Sequence, residues 1–359
     1  MLAPHIQSAQ VVVPCLDLQE TLDFFVGRLG FRVEMIFPAD DPSTAVISGH
    51  GVTLRLESGK SQSPVLRLLC DFSSLPKGTP HELVAPNGMK IELVEGNPAI
   101  EVPEGTQEFV ISKAGAADAF GAGRASMQYR DLIPTRLGGR FVASHIKIPG
   151  GGEVPDYVHY HRVRFQMIFC KAGWVRVVYE DQGPPFVMQA GDCVLQPPEI
   201  RHRVLEASAG LEVIEIGCPA VHETWADHEL ALPNSKTSPD RRWSDQAFVH
   251  SVAASTAWKP SSIAGFESRD TGITAAMKGL AGVFVLRPNG NQTTAAIQHA
   301  GEFFFLFVLR GELGLSSKQH GTHTLAENES CVIPAGEKFE LTPKTGLEML
   351  QVVLPAKGL

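Results

Sequence analysis

His159-Tyr-His161-Arg-Val-Arg-Phe-Gln166 is the stretch of sequence that decides the fold of this 359-residue chain. His159 and His161 are two residues apart, so on a β-strand both imidazoles point to the same face. A third imidazole, His202, follows after two apolar strand-like runs and a Gly191-Asp192 turn. An antiparallel barrel can bring these side chains together, and neutral imidazoles are common ligands of divalent metals. The sequence therefore predicts a three-histidine metal site inside a small barrel.

The spacing of these residues resembles the cupin family over residues 138 to 218. Cupins carry a first motif of His-x-His, four residues, Glu, six residues and Gly. Their second motif is Gly, five residues, Pro-x-Gly, two residues and His. The matching positions here are His159, His161, Gln166, Gly173, Gly191, Pro197, Glu199 and His202. Two positions depart from the pattern, because Gln166 replaces the usual Glu ligand and Glu199 replaces the second glycine.

The sequence also repeats itself at an offset of about 138 residues. The repeated pairs are His161 and His299, Phe169 and Phe307, Gly173 and Gly311, Arg130 and Arg269, and Pro197 and Pro334. Such a repeat predicts two similar barrels side by side, which is the arrangement of a bicupin. We expect the linker, roughly residues 219 to 260, to cross between the barrels and to complete their sheets.

The second barrel is predicted to lack a metal site. The repeat places Ile297, Phe304 and Phe339 at the positions of His159, Gln166 and His202. Only His299 is retained, and one imidazole cannot hold a metal. Phe303-Phe304-Phe305 is expected to fill the former ligand face, so this barrel would serve dimerisation or shape the entrance of the first barrel.

The first 100 residues have a different pattern. Asp17 and Glu20 form a capping box that opens a helix over residues 18–29, which Gly30 ends. One strand precedes this helix and three follow it. The βαβββ order resembles one module of the vicinal oxygen chelate (glyoxalase-like) family. The four ligand positions of that family fall on Gln10, Arg55, Val65 and Glu92. Because Arg cannot ligate a cation and Val has no donor atom, we expect a degenerate unit that acts as a docking or lid domain.

The predicted fold is therefore mainly β, with two cupin (double-stranded β-helix) barrels preceded by a small α+β glyoxalase-like domain. The expected boundaries are residues 1–110 for the glyoxalase-like domain, 111–235 for the metal-binding barrel and 236–359 for the second barrel. By analogy with cupins, which often pair through their sheets, we expect a homodimer.

Composition excludes some classes of partner. The chain has 31 Lys and Arg against 39 Asp and Glu, a net charge of −8, which argues against nucleic acid and anionic membranes as partners. No uninterrupted apolar run approaches the roughly 18 residues of a membrane-spanning helix. The six cysteines are scattered without a Cys-x-x-Cys pair, which predicts reduced, mostly buried thiols and a cytoplasmic protein.

The predicted site suggests a reaction class. Three neutral imidazoles leave the double charge of the metal uncompensated, and the amide oxygen of Gln166 is a weak fourth ligand. Such a site favours a small anionic substrate that binds through two oxygens, such as an aromatic hydroxy-acid or an enol. The resemblance to cupin ring-cleaving dioxygenases implies Fe(II) and O₂ chemistry, although Mn, Zn, Ni and Cu also suit imidazole.

Several neighbours of the histidines are candidates for the same site. Arg164 and Gln166 are the candidate catalytic residues beside the ligands. Arg201 is a candidate partner for a substrate carboxylate, as is Arg203. Gln196 and Tyr179 lie on strands whose alternation points them into the barrel as candidate substrate contacts. Histidines without matched partners in the sequence are expected at the surface: His222, His228, His320 and His323.

Three other functions remain open from the sequence. An isomerase or lyase would use the metal to polarise a carbonyl without O₂. A non-catalytic protein would bind a small anion at the same site. A metal-stabilised scaffold would use the metal only for stability.

Overall fold

A computed structural model describes residues 5–59, 64–86, 89–115, 120–123, 127–290 and 294–356. The chain forms two compact units. The first comprises Met1–Glu101, His159–Arg162 and His222–His228, and the second comprises Val102–Val158, Val163–Val221 and Glu229–Leu359. The described residues are mainly β, as the sequence predicts.

The N-terminal region has the predicted βαβββ order. Its elements are β1 (Ile6–Cys15), α1 (Leu18–Leu29), β2 (Arg32–Phe37), β3 (Thr44–Gly49), β4 (Val52–Ser58), β5 (Val65–Cys70), a 3₁₀ turn (Phe72–Ser74), β6 (Glu82–Val84) and β7 (Lys90–Glu95). The strands form one sheet in the order β2-β3-β4-β1-β5-β7-β6. The Asp17 side chain accepts a hydrogen bond of 2.8 Å from the backbone N–H of Glu20, and Gly30 ends α1 at φ 72°. Both predicted caps are therefore confirmed.

The first barrel and its flanking strands lie between residues 110 and 226. The elements are β8 (Val110–Ser112), β9 (Gly121–Ala122), β10 (Gln128–Asp131), the distorted turn α2 (Arg136–Gly139), β11 (Val142–Ile148), β12 (Gly152–Glu153), β13 (His159–His161), β14 (Phe165–Ala172), β15 (Trp174–Tyr179), β16 (Phe186–Gln189), β17 (Cys193–Leu195), β18 (His202–Ala207), β19 (Leu211–Cys218) and β20 (Thr224–Ala226). One sheet has the order β17-β14-β19-β11-β10-β9, and β15 pairs with β16 and β18.

The second barrel repeats this arrangement. The remaining elements are β21 (Arg242–Trp243), β22 (Gln246–Ala247), β23 (Val249–Ser251), a 3₁₀ turn (Ala253–Ser255), β24 (Lys259–Pro260), β25 (Phe266–Asp270), α3 (Ile273–Ala276), β26 (Gly282–Pro288), β27 (Ala295–Ile297), β28 (Phe303–Arg310), β29 (Glu312–Ser317), β30 (Gly321–Ala326), β31 (Ser330–Val332), β32 (Phe339–Pro343) and β33 (Glu348–Leu354). One sheet has the order β24-β25-β26-β33-β28-β31, and the other has the order β27-β32-β29-β30.

The strand that precedes each barrel in the sequence pairs with an edge of the other barrel. β23, which precedes the second barrel, pairs antiparallel with β17 of the first, with Ser251 opposite Cys193. β8, which precedes the first barrel, pairs antiparallel with β31 of the second, with Ser112 opposite Ser330. The predicted crossing of the linker is therefore confirmed, and it is reciprocal.

A pair of repeat-related arginines reinforces this exchange. Arg130 of the first barrel donates to the backbone carbonyl of Asn328, and Arg269 of the second donates to that of Gly191 at 2.9 Å. Asn328 and Gly191 occupy the same place in the two tight turns, and both have positive φ values of 71° and 94°. The repeat therefore extends to the contacts between the barrels.

β14 and β28 are strands of equal length that the repeat makes equivalent, and each presents one face to its own barrel and the other face to the neighbouring barrel. On β28, Phe303, Phe305 and Phe307 pack with side chains of the first barrel. Phe304 belongs instead to the interior of the second barrel. The expectation that Phe303-Phe304-Phe305 together fill the former ligand face was wrong for two of the three, because alternate residues of a strand face opposite sides.

The interior of the second barrel is apolar where the first carries ligands. Ile297, Phe304 and Phe339 are buried in one cluster. His299 is 4% exposed, and its Nε2 lies 2.7 Å from the backbone carbonyl oxygen of Ile333. Within the part of the chain that the structure describes, the second barrel holds no group of side chains arranged for a metal. His299 is thus a hydrogen-bonded core residue.

The prediction that the cysteines are unpaired and mostly buried is confirmed. All six cysteines are free, and five of them are buried, with Cys15 partly exposed. Burial raises the pKa of the Cys170 and Cys331 thiols to about 12. These thiols are therefore inert at neutral pH. Among the described residues, no helix is both long and apolar enough to cross a membrane.

Buried His299 makes a prediction about acid stability. Burial lowers the pKa of His299 in the folded protein, whereas an unfolded histidine titrates near pH 6.5. As the pH falls below about 6.5, the unfolded chain binds a proton that the folded protein excludes, so stability is lost, at up to about 1.4 kcal/mol per pH unit. Urea unfolding of His299→Gln should show a shallower fall between pH 6.5 and the folded pKa. Equal slopes for His299→Gln and wild type would contradict the prediction.

Candidate metal centre

The three predicted ligands lie together. His159 and His161 are the two ends of β13, and His202 opens β18. The three side chains are 1%, 7% and 5% exposed, and one ring nitrogen from each lies within 4.8 Å of the others. Strand periodicity places the first two on one face, with Tyr160 on the other. This geometry allows one metal ion to contact all three rings.

Backbone carbonyls fix the tautomers of two of these histidines. The Nδ1 atom of His161 lies 3.3 Å from the carbonyl oxygen of Glu223, and that of His202 lies 3.0 Å from the carbonyl oxygen of Ile200. Because a carbonyl oxygen can only accept, each Nδ1 carries the hydrogen and each Nε2 keeps a lone pair. Such contacts typically orient histidine ligands in metalloproteins. The donor set therefore fits a divalent transition metal.

The turn before His202 keeps its shape despite the missing glycine. Glu199 adopts φ 62°, the left-handed conformation that glycine takes at little cost. The backbone N–H of Ile200 donates to the carbonyl of Pro197 at 3.2 Å and closes the turn. The substitution of Glu199 for glycine therefore preserves the position of His202, at a conformational cost of about 1 kcal/mol.

Gln166 is buried next to a carboxylate that the sequence analysis missed. Its side chain is 1% exposed, and its Nε2 donates to the Oε1 of Glu215 at 2.6 Å. Since a carboxylate accepts hydrogen bonds, this contact assigns the amide nitrogen to the Glu215 side and directs the amide oxygen away from it. Glu215 lies in the middle of the largely apolar strand β19, and a carboxylate between Ile214 and Ile216 was the available signal.

Tyr179 and Gln196, the candidate substrate contacts, lie next to each other beside His202. The Tyr179 ring stacks on the His202 ring with a centroid distance of 5.5 Å, and the Nε2 of Gln196 donates to the Tyr179 hydroxyl at 2.8 Å. The backbone N–H of Gln196 also donates to the carbonyl of Gln166 at 2.9 Å. Burial raises the pKa of Tyr179, so its hydroxyl remains protonated. The phenol thus offers a hydrogen-bond donor beside a ligand histidine.

The predicted arginines are engaged with protein groups. Arg164 forms an ion pair of 2.8 Å with Glu302, and Arg140 pairs with the same carboxylate. The Nη1 of Arg201 donates to the carbonyl of Glu199 at 2.9 Å. Their roles in catalysis and in substrate binding stay predictions, and an incoming carboxylate would compete with these partners.

The four histidines expected without partners have defined contacts. The His222 ring lies edge-on to the ring of His161, with centroids 5.4 Å apart. His228 contacts the carbonyl oxygen of Val33 at 2.7 Å. The two remaining histidines contact Glu337 and a backbone carbonyl, through His320 and His323 respectively. The sequence hid these contacts because their partners are distant along the chain or are backbone atoms.

The N-terminal region holds an ion-pair network instead of a ligand set. Gln10 pairs in the sheet with Arg67, and Arg67 pairs with Glu92. The Arg67 guanidinium lies 2.8 Å from the Glu92 carboxylate. In the sheet, the residue between Gln10 and Glu92 is therefore Arg67 and not Val65, which lies two residues earlier. A cationic side chain thus separates the two remaining candidate ligands. Among the described residues of this region, no group of side chains is arranged for a metal.

The fold and the site define a two-barrel protein with a three-histidine centre in its first barrel. Residues 144–216, within the first barrel, match the family model of the Cupin domain. No curated protein matches this chain in sequence.

Solved structures of two-barrel cupins are similar to the chain in fold. A salicylate 1,2-dioxygenase mutant from Pseudoaminobacter salicylatoxidans is 14% identical, with a TM-score of 0.51 over 70% of this chain and 85% of that one. The same enzyme in complex with gentisate has a TM-score of 0.50 and 14% identity over 70% and 83% of the chains. An oxalate decarboxylase–formate complex from Lactobacillus farciminis has a TM-score of 0.50 and 11% identity over 71% and 88%. At such identities the likeness concerns the fold alone.

The Gln166–Glu215 pair can be tested by exchanging its members. Gln166→Glu places a second carboxylate 2.6 Å from the first in a buried position, so we expect the metal-free protein to lose about 1–3 kcal/mol of unfolding free energy. Gln166→Glu/Glu215→Gln restores an amide–carboxylate pair in the opposite order and should recover most of that loss. Urea unfolding of the wild type, both single variants and the double variant measures the coupling. Simple additivity of the two single effects would show that the pair is not the stabilising contact.

Proposed function

We propose that this protein is a mononuclear metal-dependent cupin enzyme, and that its reaction is an Fe(II)- and O₂-dependent oxygenation of a small anionic molecule. The observation that carries the proposal is the buried group of His159, His161 and His202, with ligand atoms within 4.8 Å of one another. The carbonyl contacts of His161 and His202 at Nδ1 make Nε2 the unprotonated nitrogen of each ring. These residues would hold the metal, which would supply open positions for a chelating substrate and for O₂.

The substrate class follows from the charge of the ligand set. Three neutral imidazoles and the neutral amide of Gln166 bring no negative charge into direct contact with the metal. An anionic substrate with two oxygens, such as an aromatic hydroxy-acid, would provide that charge itself. The similarity in fold to a salicylate dioxygenase, solved also with gentisate, supports this class. Glu215, behind Gln166, keeps a carboxylate close without placing it among the three histidines.

Tyr179 is the residue best placed to orient such a substrate. Its hydroxyl accepts a hydrogen bond from Gln196 at 2.8 Å, so its own hydrogen is directed elsewhere. Because burial keeps the phenol protonated, it can donate to a substrate oxygen and hold it beside His202. Arg201 can add a contact to a substrate carboxylate if it exchanges its bond to the Glu199 carbonyl. Arg164 would have to leave Glu302 to act in catalysis.

A metal-dependent lyase is the second candidate. The similarity in fold to an oxalate decarboxylase, at a TM-score of 0.50, favours it as much as the other structures favour a dioxygenase. Oxalate is also a small anion that can bind a metal through two oxygens. In a lyase the same residues would orient the substrate, and no oxygen would be incorporated. Incorporation of labelled O₂ into the product separates the two reactions.

We also infer that the N-terminal domain is a degenerate glyoxalase-like unit, because its βαβββ order and its Gln10 and Glu92 positions fit that family. The protein is proposed to be a cytoplasmic homodimer without nucleic-acid or membrane partners. The net charge of −8 supports the absence of nucleic-acid and anionic-membrane partners, and the six free cysteines support the cytoplasm, while the homodimer rests on analogy with cupins alone. Sedimentation velocity at several protein concentrations measures the oligomeric state.

The metal centre is tested first by metal content. Protein purified without chelators, or loaded anaerobically with Fe(II), should contain close to one iron per chain by inductively coupled plasma mass spectrometry. His159→Ala/His161→Ala should lose it, whereas His299→Gln, at the equivalent position of the second barrel, should retain it. Absence of metal after loading would refute the proposal that the protein is a metal-dependent enzyme. Stoichiometric zinc, nickel or manganese would favour the lyase over the dioxygenase.

The role of Tyr179 is tested with Tyr179→Phe. The variant keeps the ring that stacks on His202 and loses only the hydroxyl. We expect unchanged metal content and a kcat/KM lower by about 10- to 100-fold on the active substrate, because a hydrogen bond to a charged group contributes about 1.5–3 kcal/mol. Oxygen uptake and product formation with salicylate, gentisate and oxalate identify the substrate and measure the loss. An unchanged kcat/KM would exclude Tyr179 from substrate binding.

A further inference from the structure

The strand that carries two of the ligands is very short. β13 contains only His159, Tyr160 and His161, and it pairs with β20, which is equally short. In this pairing His161 lies opposite Thr224, and Tyr160 lies opposite Trp225. An isolated two-stranded ribbon of this length is marginal in water. β13 has a further neighbour on its other edge, so the hold on β20 is one of the supports that position His159 and His161.

The N-terminal sheet holds β20 along its other edge. Met35 and Ile36 of β2 pair with Trp225 and Thr224 of β20, in antiparallel register. The sheet thus continues from β13 through β20 into the strands of the glyoxalase-like region. The ligand strand and β20 belong to the same compact unit as residues 1–101.

Two side-chain contacts fix the ends of this arrangement. His228, two residues beyond β20, contacts the carbonyl oxygen of Val33 at 2.7 Å and lies 3.5 Å from the carboxylate of Glu34. Arg162, the residue after β13, donates to the carbonyl of Pro98. Both ends of the β13–β20 ribbon are therefore bound to the N-terminal region.

The contact passes from β20 to a ligand through Thr224. Its side chain is completely buried, and its hydroxyl lies 3.3 Å from the Nδ1 of His161. The carbonyl of the preceding residue, Glu223, accepts from the same nitrogen. Since Nδ1 carries the hydrogen, Thr224 and Glu223 together set the rotation of the imidazole and the direction of its Nε2 lone pair.

We propose that the N-terminal domain, whose described residues include no group arranged for a metal, serves as the outer support of the metal centre, with Thr224 as the positioning residue that transmits its hold to His161. This inference rests on the proposed metal centre and deepens it. It gives the degenerate domain a present function in place of the lost one. The second barrel fits the same view. Its strand β27 carries Ile297 in place of a ligand histidine, and no such support contacts it among the described residues.

The first test removes the hydroxyl of Thr224 without changing the size of the side chain. Metal affinity is measured by titration with Mn(II) and Co(II), and the geometry of the site by the visible absorption of the Co(II) protein. Thr224→Val should weaken binding by about tenfold and change the Co(II) spectrum, as loss of contacts behind a ligand typically does. Thr224→Ser keeps a hydroxyl and should restore both. Wild-type affinity and spectrum in Thr224→Val would overturn the role of this residue.

The second test loosens the support at a distance from the site. His228→Ala removes the bond to Val33, and His50→Ala is the matched control, because His50 contacts the carbonyl of Leu29 at 2.6 Å in the same domain without touching β20. Hydrogen exchange of the metal-free protein should be faster in residues 159–161 and 224–226 of His228→Ala, and unchanged there in His50→Ala. Metal affinity should fall only in His228→Ala. If exchange in this ribbon is unchanged in His228→Ala, the N-terminal domain does not support the ligand strand, even if the wild type binds metal. If exchange is faster but the wild type binds no metal, the supporting role of the domain stands and the metal centre is refuted.

Discussion

The alternation of side chains along β14 and β28 is the constraint on which the rest of the structure depends. Each strand gives one set of residues to its own barrel and the other set to the core shared by both. Phe165, Met167 and Phe169 lie in the shared core, which leaves Gln166 for the interior of the first barrel. A shift by one residue would place aromatic rings among the ligands and bury a polar amide between the barrels. The shared core therefore fixes the register of β14 and with it the position of Gln166 inside the first barrel.

Much of this organisation could be predicted from the sequence, because strands and repeats leave periodic signals. The His-x-His spacing, the offset between His161 and His299, and the caps of α1 each have a local physical cause. What escaped prediction are contacts across long sequence distances. Glu215 on β19 contacts Gln166 on the neighbouring strand β14, and Thr224 contacts His161, from which it is 63 residues away in the sequence. Likewise, Arg164 looked free for substrate because its partner Glu302 lies in the other barrel.

The candidate ligands of the metal centre are neutral side chains, and the groups behind them are charged or hydrogen-bonded. Burial keeps Tyr179 protonated, and backbone carbonyls determine the tautomers of His161 and His202. The carboxylate of Glu215 determines the orientation of Gln166. These outer contacts decide what each inner atom can donate or accept, so the chemistry of the centre is set largely by residues that would not touch the metal.

The exchange of β8 and β23 has a consequence for how the chain tolerates truncation. A protein cut between the barrels would leave each half without one of its edge strands, and unpaired sheet edges template association with other chains. Neither barrel can therefore be removed without exposing a sheet edge of the other. The interior of the second barrel is free to be apolar, whereas its sheets are required by the barrel that carries the three histidines. Strand exchange thus makes a barrel without a metal site indispensable to the one that has it.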